Sequence, residues 1–182
     1  CEKPFTMNAR EAQAVVDLAR EKKLFLMEAM WSRFLPAAQE AQRIIASGEI
    51  GVLRQVQADI GFVAHFPPEH RMFNPELGGG ALLDVGIYPL SMAAFFLGPV
   101  SAVQALAEMG ATGVDEQVVF SLLHRGGGTS SCACSLRAQT PTEMLISGSL
   151  GRIRLPSRFY KPDHLVVEMM DGERRVVDAP YL

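Results

Sequence analysis

The stretch Gly78-Gly79-Gly80-Ala81-Leu82-Leu83-Asp84-Val85-Gly86-Ile87-Tyr88-Pro89 sets three glycines before an apolar run that carries one acid and one phenol, four residues apart. Helical geometry brings residues i and i+4 onto one face, about 5–6 Å apart at Cβ. A helix here therefore points Asp84 and Tyr88 the same way. Glycines ahead of them let another backbone or a ligand approach closely, because no Cβ stands in the way. Pro89 complicates this. A proline inside a helix lacks its N–H and clashes with the carbonyl four residues back, so a kink is predicted just after Tyr88 unless the helix starts later than Gly80.

Outward from that segment the hydrophobic period changes. Upstream, Val52, Arg54, Val56, Ala58, Ile60 and Phe62 alternate with Leu53, Gln55, Gln57 and Asp59, which predicts a half-buried strand. The proline-rich 65–76 reads as loop. Downstream, Gly98-Pro99 ends the helix, and strand-like runs follow at 100–108, 116–124, 129–138, 143–148, 151–155, 165–170 and 174–178. Arg125-Gly126-Gly127-Gly128 and Asp171-Gly172 mark turns between them. Short successive strands joined by tight turns imply an α+β fold: an open, mostly antiparallel or mixed sheet covered by helices on one face.

The first residues read differently. Asn8 with Glu11 resembles a capping box, and Ala12, Val15, Val16 and Ala19 form one apolar helix stripe. Leu24–Met30 is short, apolar and predicted to be a buried strand. Strand, helix, strand at this spacing reads as part of a βαβ unit. We therefore divide the chain into 1–30, a remnant of that unit, and 31–182, the α+β body. Trp31-Ser32-Arg33 is then a loop at a strand's carboxyl end, where open α/β sheets bind ligands, on the same rim as Lys3. Pro36 suits the first turn of the next helix, whose stripe is Ala37, Ala41, Ile44 and Ile45, with Gly48 as its stop.

Composition bounds the function. The 182 residues are 48% hydrophobic and 20% charged, as in an ordinary globular domain. A net charge of −3 leaves no basic footprint for nucleic acid. No apolar run reaches the roughly 18 residues of a membrane span. Cys1 is neither an initiator Met nor part of a signal peptide, so the chain reads as a cytoplasmic fragment of something longer. Cys1, Cys132 and Cys134 lack the spacing of a zinc site with any histidine, and read as idle thiols in a reducing compartment; no metal is expected.

The candidate chemistry is concentrated in few residues. A phenol ordinarily titrates near ~10, and an ammonium beside it favours the phenolate. Tyr88 with Lys3 nearby can thus act as general base towards an alcohol or acid towards a carbonyl, with Asp84 orienting the substrate or holding Lys3. Such an arrangement suits hydride transfer to a nicotinamide, which no side chain can accept.

Glu2-Lys3-Pro4, then Glu28-Ala29-Met30-Trp31-Ser32-Arg33-Phe34-Leu35-Pro36, then Gly78 to Tyr88 occur in that order. Together they resemble the glucose-fructose oxidoreductase / inositol dehydrogenase / MocA family, and within it the dihydrodiol dehydrogenase and D-xylose dehydrogenase branch. The likeness covers essentially the whole chain. It implies an N-terminal Rossmann domain, mostly upstream of Cys1, followed by an open-sheet domain that often makes homodimers or higher homo-oligomers. It also implies NADP or NAD as cofactor and a sugar or diol as substrate. Carried over residue by residue, Lys3, Asp84 and Tyr88 are catalytic. Glu2, Lys3, Pro4, Trp31 and Arg33 contact cofactor, while Trp31, Phe62, Arg71, Asp84 and Tyr88 line the substrate site. Many relatives have histidine where Tyr88 stands. A competing expectation is a non-catalytic binding or dimerisation domain of the same fold.

Overall fold

The computed structural model describes residues 1–181. Helix α1 (Ala9–Glu21) starts at Asn8, whose side chain accepts from the Glu11 N–H as expected of the capping motif. None of its residues is buried, so its apolar stripe faces outward for the most part. The strand predicted at Leu24–Met30 does not form. A ladder needs a partner over several residues, and here the extended backbone meets a second extended stretch at Cys1 alone, from Cys1 N to Met27 O and from Ala29 N to Cys1 O. Leu24, Phe25 and Met27 stay in the open, Phe25 at 87% exposure, and only Met30 at its end is buried.

Trp31–Phe34, expected as loop, is a single 3₁₀ turn, tied down by Ser32 Oγ donating to Tyr160 O at 2.8 Å. Helix α2 (Pro36–Ala46) follows with proline in its first turn and buries Ala37, Ala38, Ala41 and Ile44. After Gly48 come β1 (Leu53–Gly61), the helical segment described below with α3 (Ile87–Leu97), and then β2 (Val100–Met109) and β3 (Asp115–His124). The chain continues through β4 (Thr129–Ser135), β5 (Met144–Gly148), β6 (Gly151–Leu155), β7 (His164–Met169) and β8 (Arg174–Asp178). These eight strands form one sheet in the order β2-β3-β4-β1-β5-β6-β7-β8. Only β1 and β4 run parallel; every other pairing is antiparallel.

The core follows from the two-residue period. Val56, Ala58 and Ile60 of β1, Val118, Phe120 and Leu122 of β3, and Met144 and Ile146 of β5 point to the helical face and are buried. Helix α3 lies across β1 and β4, and α2 against β7. Each fully buried Ile or Leu contributes about 1.5–3 kcal/mol here. The stretch Pro75–Leu97 is apolar and long enough by composition to cross a membrane, but it is mostly buried in this core. The other face of the sheet is uncovered, and β2 is exposed along nearly its whole length.

His124 is buried and bridges α3 to the sheet. Its Nδ1 faces Gly98 O at 2.8 Å and its Nε2 faces Ser130 Oγ at 2.6 Å. A carbonyl can only accept, so Nδ1 carries the hydrogen and the serine donates to Nε2. This pairing fastens the carboxyl end of α3 onto β3 and β4.

Candidate active site

The segment that carries Asp84 and Tyr88 begins as a π turn, Leu82–Gly86, and continues as α3. The glycines ahead of it serve backbone packing. A Cβ on Gly79 would stand 2.8 Å from the carbonyl oxygens of Arg71, Met72 and Asn74, and one on Gly80, at φ +116°, would collide with Asp115 Oδ1. Asp115 Oδ2 in turn accepts from the Leu82 N–H at 2.7 Å, capping the turn. Burial is the main influence on that carboxyl and raises its pKa, against the backbone donors that lower it.

The expected kink at Pro89 is replaced by this wider turn. Proline offers no hydrogen to the carbonyl four residues back, Val85, nor to the one five back, Asp84, so the helix is one donor short there. Lys3 supplies it. Its Nζ donates to Asp84 O at 2.5 Å and to Asp84 Oδ1 at 3.2 Å. Arg71 Nη1 reaches the same Oδ1 at 3.0 Å, and the carboxylate itself is buried. The Lys3 ammonium also lies 5.2 Å from the centroid of the Tyr88 ring. Asp84 and Tyr88 do share a face.

They line one cleft of about 510 Å³ together with Lys3, Phe62, Arg71, Gln139, Thr142, Ser157, Arg158 and Tyr160. Trp31 stands edge-on to Tyr88 at 6.4 Å and to Tyr160 at 6.3 Å between ring centroids, while Tyr88 and Tyr160 are 5.4 Å apart. The structure therefore gathers Lys3, Trp31, Phe62, Arg71, Asp84 and Tyr88. It does not bring Arg33 there. That guanidinium donates to Ser91 Oγ at 2.9 Å and Ser91 O at 3.1 Å and lies over Phe95, bracing the 3₁₀ turn on α3. Glu2 is exposed and Pro4 half-buried beside Lys3, outside the cleft lining.

Tyr160, Arg158 and Thr142 were not foreseen. They come from irregular segments between strands, where no period ties them to Tyr88. The available signal was the crowding of Arg158, Phe159, Tyr160 and Lys161 into one short connection, since loops on a rigid scaffold carry binding residues disproportionately.

A larger concavity, about 920 Å³, opens on the uncovered sheet face among Gln57, Leu106, Val119, Ser131, Leu145 and Arg154. It is an open trough over the strands in which Arg154 and Glu143 answer each other at 3.8 Å, whereas the smaller cleft gathers an acid, an ammonium and a phenol, so the smaller cleft is the better candidate for chemistry. Cys132 and Cys134 lie buried on the helical face, and burial pushes each thiol up to about 12. Among the described residues no three His, Cys, Asp or Glu side chains converge as a metal centre requires.

Comparison with known proteins fits this architecture. The model for the GFO/IDH/MocA C-terminal domain matches residues 38–154. A trans-1,2-dihydrobenzene-1,2-diol dehydrogenase of Danio rerio is 37% identical over 184 residues, covering 100% of this chain and 54% of its own length. A D-xylose 1-dehydrogenase (NADP(+)) of Hypocrea jecorina is 35% identical over 203 residues, covering 99% of this chain and 52% of its own. The crystal structure of an aldose-aldose oxidoreductase from Caulobacter crescentus, complexed with glycerol, superposes with a TM-score of 0.89 at 25% identity over 100% of this chain and 56% of that one. The chain thus spans about half the length of the relatives it matches. It belongs to the GFO/IDH/MocA family, whose C-terminal α+β domain it contains.

Proposed function

We propose that this chain is part of an NAD(P)-dependent oxidoreductase that moves a hydride between a nicotinamide and a sugar or diol hydroxyl, with Tyr88 as general acid/base. The observation that carries this reading is the convergence, in one cleft, of a Lys3 ammonium bonded to Asp84 and standing 5.2 Å from the Tyr88 ring centroid. The named activities of the Danio rerio and Hypocrea jecorina relatives support it.

The residues present suit such a cofactor. Lys3 has three N–H donors, of which Asp84 takes two, leaving one for the cleft. Trp31 offers a ring at 40% exposure beside Tyr88, against which a planar group can rest. NADP or NAD, when bound, would supply the hydride acceptor that no side chain provides. Tyr88 takes the proton from the substrate hydroxyl in the oxidative direction and returns it in the reductive one. The Lys3 charge stabilises negative charge developing on the phenol oxygen. Asp84 fixes Lys3 and Arg71 from its single Oδ1, and Phe62 closes the apolar side of the cleft.

In the complete protein, Tyr88→Phe should lower kcat by about 10²–10⁴-fold while NADP(H) binding, read by fluorescence titration, stays unchanged. Near-normal turnover in that variant would sink the assignment.

We further assign residues 1–30 to the dinucleotide-binding unit and 31–182 to a substrate-binding and dimerisation domain, located in the cytoplasm. The absence of any buried residue in α1 and the exposed Leu24 and Phe25 support the division, and the free thiols suit a reducing compartment. The uncovered sheet face, with Leu106, Val119 and Leu123 exposed on it, is proposed as the homodimer contact. Sedimentation should give a dimer for the complete protein and a monomer for Leu106→Glu combined with Val119→Lys.

A further inference from the structure

We propose that the cleft takes an anionic sugar or diol, one bearing a carboxylate or phosphate away from the reacting hydroxyl, and that Arg158 recognises this anion. The proposal rests on the oxidoreductase reading of the same site.

Charge is unevenly placed. In a chain of net charge −3, the cleft is lined by three cations, Lys3, Arg71 and Arg158, and by one carboxylate, Asp84. Lys3 and Arg71 both engage that carboxylate. Among the described residues Arg158 has no acid within ion-pair reach. Its guanidinium is free to meet a ligand, and a guanidinium's forked donors match a carboxylate or phosphate in two parallel bonds.

The wall that holds Arg158 is built at conformational cost. Among the described residues three non-glycine ones have positive φ, and two of them, Thr142 at +58° and Arg158 at +66°, line this cleft. For a β-branched or bulky side chain that region is a steric outlier, and such outliers gather at binding sites. The two are joined. Thr142 N donates to Asp59 Oδ2 at 2.8 Å, and Thr142 O accepts from Phe159 N at 3.1 Å. Phe159, at 1% exposure, anchors the turn in the core and leaves Arg158 and Tyr160, on either side of it, to the cleft. Tyr160 reaches the Tyr88 ring, so the Arg158 turn stands on the acid/base side of the cleft. A neutral polyol needs hydroxyl partners such as Gln139 and Ser157; a free arginine on a strained, anchored turn suits an anion.

The test is initial-rate kinetics of the complete protein with NADP(H), comparing D-xylose and D-glucose with D-gluconate, D-glucuronate and D-glucose 6-phosphate. An anionic member should have the highest kcat/KM, and Arg158→Gln should raise its KM about tenfold or more, the range for losing a charge-assisted hydrogen bond. KM for neutral sugars and for NADP(H) should stay within about twofold, and Arg158→Lys should restore part of the loss. Arg158→Gly removes strain and charge together, so it should lose the anion preference without lowering Tm. Gluconate or glucuronate answering to Arg158 makes the recognised group a carboxylate, and glucose 6-phosphate a phosphate; either upholds the proposal. Preference for neutral sugars with no differential effect of Arg158→Gln would overturn the proposal and leave the oxidoreductase reading standing. A rise in the NADP(H) KM alone would also overturn it, giving the arginine to the cofactor. Wild-type protein that turns over none of these five compounds would count against the oxidoreductase reading itself.

Discussion

Lys3 Nζ donates to Asp84 twice, to the main-chain oxygen at 2.5 Å and to Oδ1 at 3.2 Å, across 81 residues of sequence. Pro89 has no hydrogen to give that turn of helix, and the Lys3 donor stands beside it. Lys3→Met should therefore leave a half-buried carbonyl without a donor and cost about 1–3 kcal/mol in chemical denaturation. Pro89→Ala restores an N–H, so Lys3→Met should cost less in that background. A double-mutant cycle should show coupling of at least ~0.5 kcal/mol. Strict additivity would mean that the proline does not create the acceptor.

Tyr160 bears on the site through its ring. It packs on Tyr88 at 5.4 Å and on Trp31 at 6.3 Å, while its backbone oxygen receives Ser32. Tyr160→Phe keeps all of this and should leave kcat/KM within about twofold. Tyr160→Ala loses aromatic contacts worth about 0.5–1.5 kcal/mol each, and kcat/KM in the complete protein should fall roughly tenfold. Equal losses in both variants would instead assign the work to the hydroxyl.

What the sequence made legible follows the range of each signal. Strands β6 and β8 lie where the short runs Gly151–Leu155 and Arg174–Asp178, set off by turn residues, placed them, because run and turn signals are local. The i, i+4 pairing of Asp84 and Tyr88 was equally local. Leu24–Met30 looked like a strand because it is apolar, but a strand exists only through its neighbours, and Cys1 alone pairs with it. Arg33 carried the right chemistry beside Trp31, yet Ser91 and Phe95, 58 and 62 residues onward, decide where its guanidinium goes. Tyr160 and Arg158 reach the cleft by long-range packing of Phe159, which no spacing in the sequence encodes.

The two buried cysteines give a clean chemical readout. Desolvation is the chief cause of their raised pKa, about 12 against an ordinary 9.0, so the thiolate that reacts with disulfide reagents is scarce at pH 8. Only Cys1, which is exposed, should react promptly with a chromogenic disulfide in the native protein, and all three after unfolding. The same shift links stability to pH. A thiol whose folded pKa is raised holds its proton more tightly when folded, so its contribution is complete below pH 9 and is lost as pH climbs towards 12. Prompt reaction of Cys132 or Cys134 at pH 8 would mean that β4 opens easily.

Asp115 combines a cap with a penalty, and two substitutions separate them. Its Oδ2 accepts from Leu82 N at 2.7 Å, so Asp115→Ala should uncap the π turn and cost about 1 kcal/mol, with kcat falling as Asp84 and Tyr88 lose their fixed start. Asp115→Asn keeps an oxygen acceptor but removes the charge that burial disfavours. Because the folded pKa is raised, the native protein binds the Asp115 proton more tightly than the unfolded chain does. The charged carboxyl therefore weakens the fold at neutral pH, and the weakening fades as pH falls through the raised value towards the ordinary 3.8. Asp115→Asn should accordingly be as stable as wild type or more so at pH 7, and its advantage should vanish near pH 3. Thermal melts of the two proteins across that range give the comparison directly. A loss for Asp115→Asn as large as that for Asp115→Ala at pH 7 would mean that the negative charge itself, set against the first N–H groups of the helix, is what holds the turn.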